Sequence, residues 1–269
     1  MNGATSPRPV VIAVANQKGG VGKTTTAINL GAELAAVGVS TLLIDLDPQA
    51  NATAGLGLSG HGGATIYDII LDDLPLGECI IETPQPGFML APSGPDLAGA
   101  EVELVPAMAR EQRLRRAIQS GAGGYEVVIV DCPPSLGLLT VNALTAAREV
   151  LVPVQCEYLA LEGLGQLTRT LEAVQRNLNP ELHLGGLLLT MYDSRTNLCQ
   201  QVAAEVRSHF LETFETVIPR SVRISEAPSH GLPIGMYAPA SPAAKAYAAF
   251  ARELVGAFLP HRAGVGVEQ

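Results

Sequence analysis

Tryptophan is absent from the 269 residues, and aromatic residues together make up only 4%. A core with so few rings must be aliphatic, and the 47% of apolar residues supply it. Buried parallel strands and the helices that cover them have this composition. No apolar run approaches the roughly 18 residues of a membrane-spanning helix. The N-terminal stretch 1–9 is short and polar, with one arginine, and the apolar run behind it covers only Val10–Ala15. That run is too short for the apolar core of a secretory leader. A soluble, cytoplasmic protein is the expectation.

Other absences narrow the organisation. No Pro/Ser-rich linker, internal repeat or low-complexity run divides the chain. One domain over residues 1–269 is therefore expected, with 1–9 and 261–269 as flexible tails. The four cysteines, Cys79, Cys132, Cys156 and Cys199, form no C-x-x-C pair, which argues against a zinc or redox motif. They are expected to be reduced and buried or half-buried. Acidic residues outnumber basic ones, 26 to 17, for a net charge of −9. This argues against a uniformly basic nucleic-acid binder but leaves room for a local basic patch.

What is present is an alternation of two periodicities. Val10–Ala15, Thr41–Asp45, Phe88–Ala91, Val127–Asp131, Val150–Val154, Gly186–Thr190 and Val217–Ile218 read as strands. Helical spacing covers Thr24–Val37, Arg110–Ser120, Leu161–Leu178, Leu198–Phe210 and Pro242–Leu259. Strands alternating with helices predict an α/β fold: a doubly wound, mostly parallel sheet with helices on both faces. Ligands of such sheets bind at the C-terminal ends of the strands.

The first strand runs into Lys18-Gly19-Gly20-Val21-Gly22-Lys23-Thr24-Thr25, and a helix follows. Strand, glycine-rich loop and helix are the context of a phosphate-binding loop. Glycines let backbone N–H groups turn inward around an anion, and the helix N-terminus adds partial positive charge. In that setting Lys23 reaches the terminal phosphates and the Thr24 hydroxyl ligates magnesium. One detail departs from the general pattern. Gln17 stands where the first glycine belongs, and a second lysine, Lys18, follows it.

Two strands end in acids. After Thr41–Asp45 come Asp45 and Asp47, on the same side by alternation, with Asp47 just past the strand. A lone aspartate there would read as a cap or turn residue; two beside a phosphate loop are more specific. After Val127–Val130 comes Asp131, four apolar residues and then a carboxylate, the pattern of a magnesium-holding strand end. Cys132 beside it reads as a small buried hydrophobe.

The loop Lys18–Thr25 resembles the deviant Walker A motif of the ParA/MinD ATPases. Residues 44–53, IDLDPQANAT, resemble that family's switch I, and residues 131–137, DCPPSLG, its Walker B and switch II region. Residues 152–164, 187–197 and 217–231 resemble the chromosomal ParA/Soj branch, so the likeness spans nearly the whole chain.

The resemblance implies an ATPase that hydrolyses ATP to ADP and phosphate. ATP is held by Lys18, Gly19, Gly20, Val21, Gly22, Lys23, Thr24 and Thr25. Mg2+ is held by Thr24, Asp47 and Asp131. Lys18 reaches across a homodimer interface to the partner's nucleotide, Lys23 binds phosphate, and Asp47 positions the attacking water. Asp45 is expected to support the magnesium shell or Lys23. The adenine pocket falls near Met191 and Pro219. The ATP-bound sandwich dimer binds double-stranded DNA without sequence preference, through Arg195 and Arg223, and associates with the nucleoid. A ParB-type partner stimulates hydrolysis and release. The nine residues before the first strand hold no helix-turn-helix, so site-specific operator binding is not expected.

Three other readings of surface features stand beside these. Arg110, Arg113 and Arg116 fall on one face of a helix, which could be solvated, paired with Glu111 and its neighbours, or part of a DNA surface. Tyr247, Phe250, Leu254, Phe258 and Leu259 form an apolar stripe in the last helix. A MinD-like membrane ATPase would use such a stripe, but only Lys245 and Arg252 are basic between Pro242 and Leu259, so packing on the core and no membrane contact are expected. A reductase like the nitrogenase iron protein needs a second cysteine in a suitable loop beside Cys132, and the sequence offers none.

Overall fold

The computed structural model describes residues 8–157 and 160–262, with the backbone alone at 160–163. Eight strands form one sheet: β1 Val10–Val14, β2 Thr41–Asp45, β3 Ile81–Glu82, β4 Phe88–Ala91, β5 Val127–Asp131, β6 Glu149–Gln155, β7 His183–Tyr192 and β8 Thr213–Pro219. Their order is β3-β4-β2-β5-β1-β6-β7-β8. All neighbours pair in parallel except the two-residue edge strand β3, which runs antiparallel to β4.

Alternation along the strands builds two cores, one on each face. On β1, Val11 and Ala13 join one cluster, while Ile12 and Val14 join the other. On β5, Val128 and Val130 face one way, Val127 and Ile129 the other. The helices are α1 Lys23–Ala36, α2 Asn51–Gly55, α3 Ile66–Leu71, α4 Leu97–Glu103, α5 Arg113–Gly121 and α6 Leu138–Ala146. They continue with α7 Ala160–Asn177, α8 Asn197–His209, α9 Val222–Glu226, α10 Ile234–Tyr237 and α11 Pro242–Phe258. α1 and α11 cover one face; α3 to α8 contribute to the core on the other. β1 lies between β5 and β6, so the strand order reverses beside it, and the glycine loop leaves its C-terminal end. That is where ligands bind in open α/β sheets.

The apolar stripe of α11 is spent on the core. Tyr247, Phe250 and Leu254 are fully buried against α1 and β8, and the Tyr247 hydroxyl meets Thr26 Oγ1 at 3.4 Å. Among the described residues, no helix is long and apolar enough to cross a membrane.

One expected element is corrected. Arg110–Gln112 form a 3-10 turn, with α5 beginning only at Arg113. Ala109 sits at φ 50, and this left-handed residue sets the turn off from what precedes it. Of the readings open for these arginines, pairing with neighbouring acids holds for two of them. Arg110 pairs with Glu111 at 3.0 Å, and the mostly buried Arg113 pairs with Asp73 at 2.7 Å. The expected tails fall largely on 1–7 and 263–269, outside the described residues. Of the C-terminal one, His261 and Arg262 are described, and Arg262 Nε donates to Glu126 Oε1 at 2.7 Å.

Candidate nucleotide site

The loop after β1 holds its shape through backbone geometry. Gly20 and Gly22 take φ of 74° and 90°, values that a side chain would strain. Space in front of Gly19 and Gly20 is open: a Cβ on either would meet nothing within 4 Å. No side chain caps α1, so its first N–H groups remain available to an anion. Asn16 anchors the loop's start, donating to Pro153 O at 2.8 Å and accepting from Lys18 N at 3.0 Å. Thr190 on β7 anchors its middle, donating to Val21 O at 2.8 Å.

Lys23 is 7% exposed, and its Nζ donates to Lys18 O at 3.2 Å. Burial lowers its pKa, and Asp131 partly restores it. Asp131 ends β5 and lies in register with Asp45 at the end of β2. Both are fully buried, yet their surroundings differ. Asp45 Oδ2 accepts from Thr53 N at 2.8 Å and Thr53 Oγ1 at 2.7 Å, and its Oδ1 from Asp47 N at 3.3 Å. Among the described residues neither oxygen of Asp131 has a partner within hydrogen-bond distance, although the Thr24 hydroxyl lies near enough to oppose the rise in its pKa. Burial pushes both carboxyls upward, Asp45 to about 6 despite its hydrogen bonds, and Asp131 with a further push from the Asp45 charge.

Asp45 thus braces the segment Asp47–Thr53. Asp47 is held by its own turn: its Oδ1 accepts from Gln49 N at 2.9 Å, and its carbonyl accepts from Ser93 Oγ at 2.8 Å.

These groups surround a cleft of about 430 Å³ at the C-terminal ends of β1, β2, β5 and β7. It brings together Gly19, Gly20, Gly22, Lys23, Thr24, Thr25, Asp47 and Met191 from the sequence-predicted set. Val21 and Asp131 are buried behind this lining. Met191 has a left-handed φ of 51°, a strained value for a methionine, at the cleft wall. Pro219, the last residue of β8, is not among the lining residues. The wall on that side is instead Ile224, Ala227, Pro228 and Leu232, which sequence reasoning missed. The signal for the first three was the stretch 217–231, but nothing in it distinguishes the residues that turn inward.

The donor set fits magnesium. Among the described residues there is no cluster of three or more His, Cys, Asp or Glu side chains able to cage a metal. Magnesium needs no such cage, since it is commonly held by one or two carboxylates, waters and phosphates. The two unpartnered oxygens of Asp131, buried beside Lys23, are acceptors left for a cation or its water.

The other singled-out residues lie around the cleft. Lys18 is partly exposed, with Nζ 3.4 Å from Glu157 Oε2. Arg195 is 87% exposed and makes a bidentate pair with Asp193, at 2.9 and 2.7 Å. Arg223, on α9, donates to Glu226 Oε2 at 2.9 Å. All four cysteines are free and buried, and burial pushes the Cys132 thiol far up, so it is inert.

A glycine loop at a central parallel strand, a buried lysine and acids ending the adjacent strands define a P-loop nucleotide hydrolase. Comparison with known proteins narrows the class. A family model described as an AAA domain matches residues 10–184. The chromosome-partitioning ATPase Soj of Thermus thermophilus is 54% identical over 245 residues, covering 91% of this chain and 94% of that protein. The chromosome partitioning protein ParA of Myxococcus xanthus is 53% identical over 247 residues, covering 91% and 87%. A structure of cobyrinic acid a,c-diamide synthase from Mycobacterium smegmatis, with bound ADP and magnesium, superposes with a TM-score of 0.81 at 40% identity, covering 96% of this chain and 97% of that one. This chain belongs to the ParA/Soj family of P-loop ATPases, and it is a magnesium-dependent ATPase.

Proposed function

We propose that this ATPase partitions DNA, cycling between an ATP-bound homodimer that holds DNA without sequence preference and a released form. The observation that carries the reading is the position of the two arginines relative to the cleft. Arg195 lies in the loop that leaves Met191, and Arg223 adjoins Ile224; Met191 and Ile224 both line the cleft. A nucleotide seated there bears on the segments that display both arginines. The partition relatives support the same reading.

Each site residue has a part in it. The N–H groups of Gly19 to Thr25 surround the phosphates, and Lys23 leaves the Lys18 carbonyl to meet their charge. Thr24, Asp47 and Asp131 hold Mg2+, which neutralises phosphate charge when bound. Asp47 orients the attacking water. Met191 contacts the adenine side, with Pro219 shaping the wall behind Ile224. Lys18 leaves Glu157 and inserts beside the partner protomer's nucleotide, completing that site electrostatically. Dimerisation doubles the Arg195–Arg223 surface, and the arginines trade Asp193 and Glu226 for DNA phosphates. A ParB-type protein accelerates hydrolysis, and release from the nucleoid follows.

Co-sedimentation tests the reading. The protein with ATP and magnesium should pellet with non-specific double-stranded DNA, and the amount should fall when ADP replaces ATP. Sedimentation with anionic liposomes and not with DNA would overturn it in favour of a membrane-associated positioning ATPase.

A further inference from the structure

A second cavity of about 390 Å³, close in size to the nucleotide cleft, lies at the other end of the sheet. It is bounded by the start of β1, the C-terminal end of α6, one side of α5 and the residue before β6. Across a five-residue strand this is roughly 16 Å from the glycine loop. Three of its lining residues are arginines, Arg8, Arg115 and Arg148, against one acid, Glu181, which sits exposed at the rim. In a chain where acids outnumber bases 26 to 17, three cations to one anion is a local reversal of sign. Arg8 and Arg115 form no ion pair among the described residues. Arg148 has only Glu149, at 3.6 Å, and its side chain is mostly exposed.

An independent feature marks the same wall. Thr145 lines the cavity from the last turn of α6, is fully buried, and its hydroxyl has no hydrogen-bond partner among the described residues. Threonines in helices ordinarily return that hydrogen bond to the carbonyl four residues back. Beside it the buried Asn179 fixes the wall, donating to Leu144 O at 3.0 Å and Ala147 O at 2.6 Å. Val11 and Ile118 give the cavity an apolar side.

Arginine forks match the planar oxygens of phosphates and carboxylates, and a buried hydroxyl adds a neutral donor. The geometry points to a second ligand site, for a small organic anion. Its phosphate or carboxylate is held by Arg8, Arg115 and Arg148 with Thr145 donating, and its apolar body lies on Val11 and Ile118. α6 begins just after the Asp131–Ser135 segment and ends at this cavity, so the two sites share a helix.

The test uses the full chain saturated with ADP and magnesium, so that the nucleotide cleft is filled. Phenyl phosphate and, separately, benzoate are titrated while methyl NMR signals are followed. Saturable shifts at Val11 and Ile118, with Ile224 unmoved, are expected for at least one probe, and the stronger binder identifies the headgroup. Arg115→Ala should weaken that binding tenfold or more. Thr145→Val, which keeps the shape, should weaken it several-fold with no fall in melting temperature. Shifts with neither probe, shifts confined to Ile224, or binding indifferent to both substitutions would overturn the site. Because the cleft stays filled throughout, failure here leaves the DNA-partition reading intact.

Discussion

Asp45 and Asp131 end adjacent strands, face each other in register and are equally buried. One accepts three hydrogen bonds; the other, among the described residues, has no partner within hydrogen-bond distance. Position and burial therefore do not assign their roles, and partners do. A carboxylate whose oxygens are all engaged holds the fold together. A carboxylate left bare at the same depth is costly to the empty protein and useful only once a cation arrives.

The contrast predicts opposite responses to the same substitution. Asp131→Ala should cut ATP hydrolysis at least roughly a hundredfold, on the scale of metal-held charge stabilisation. It should change the melting temperature of the nucleotide-free protein little, because relief of Asp131's burial offsets the lost attraction to Lys23. Turnover assays and calorimetry on the same sample check both. A lowered melting temperature would mean that Asp131 has protein partners after all.

Asp45→Ala should act mainly on stability. The rise of its pKa to about 6 marks a charge-burial cost of about 3 kcal/mol that the alanine removes. Against this, Thr53 N, Thr53 Oγ1 and Asp47 N lose their acceptor, at about 1–3 kcal/mol each. Three stranded donors cost about 3–9 kcal/mol together against about 3 regained, so a net loss of up to about 6 kcal/mol is expected in denaturant unfolding.

The same shift sets a pH dependence. The folded pKa of Asp45 lies above the unfolded carboxylate value of about 4. The native state therefore binds the extra proton between about 4 and about 6, and stability falls as pH rises through that window. Melting temperatures of the nucleotide-free protein across it should show that slope, and Asp45→Ala should flatten it.

The smallest effects concern the surface. Arg195→Glu should weaken DNA binding for all sequences and reduce its salt dependence, and Arg223→Glu likewise. Asp193→Asn should do the reverse, strengthening binding a few-fold by freeing Arg195 from its bidentate pair. DNA titrations at two salt concentrations read both.

Much of this was legible in the sequence. β2, β4 and β5 have the boundaries read from their apolar runs, and the glycine loop stands where strand and helix placed it. α6 was not legible, because Leu138, Leu139, Val141, Ala143 and Leu144 make it apolar on every side and erase the helical period. β3, at two residues, is too short to carry a pattern. The site divides in the same way. Lys23, Asp47 and Asp131 follow from local motifs, and the structure gathers them at one cleft. The bracing role of Asp45 depends on Thr53, a partner that spacing does not reveal. The inward turn of Ile224, Ala227, Pro228 and Leu232 depends on how residues after β8 fold back over the cleft.

The most direct test of the link between cleft and surface is Asp47→Ala, followed by DNA co-sedimentation over time with ATP and magnesium. Among the described residues the Asp47 side chain accepts only from Gln49 N, so its loss should leave nucleotide binding intact while stopping hydrolysis. The variant should stay in the DNA pellet after the wild-type protein has turned over its ATP and left. Normal hydrolysis by the variant, or pelleting that does not depend on ATP, would contradict the link.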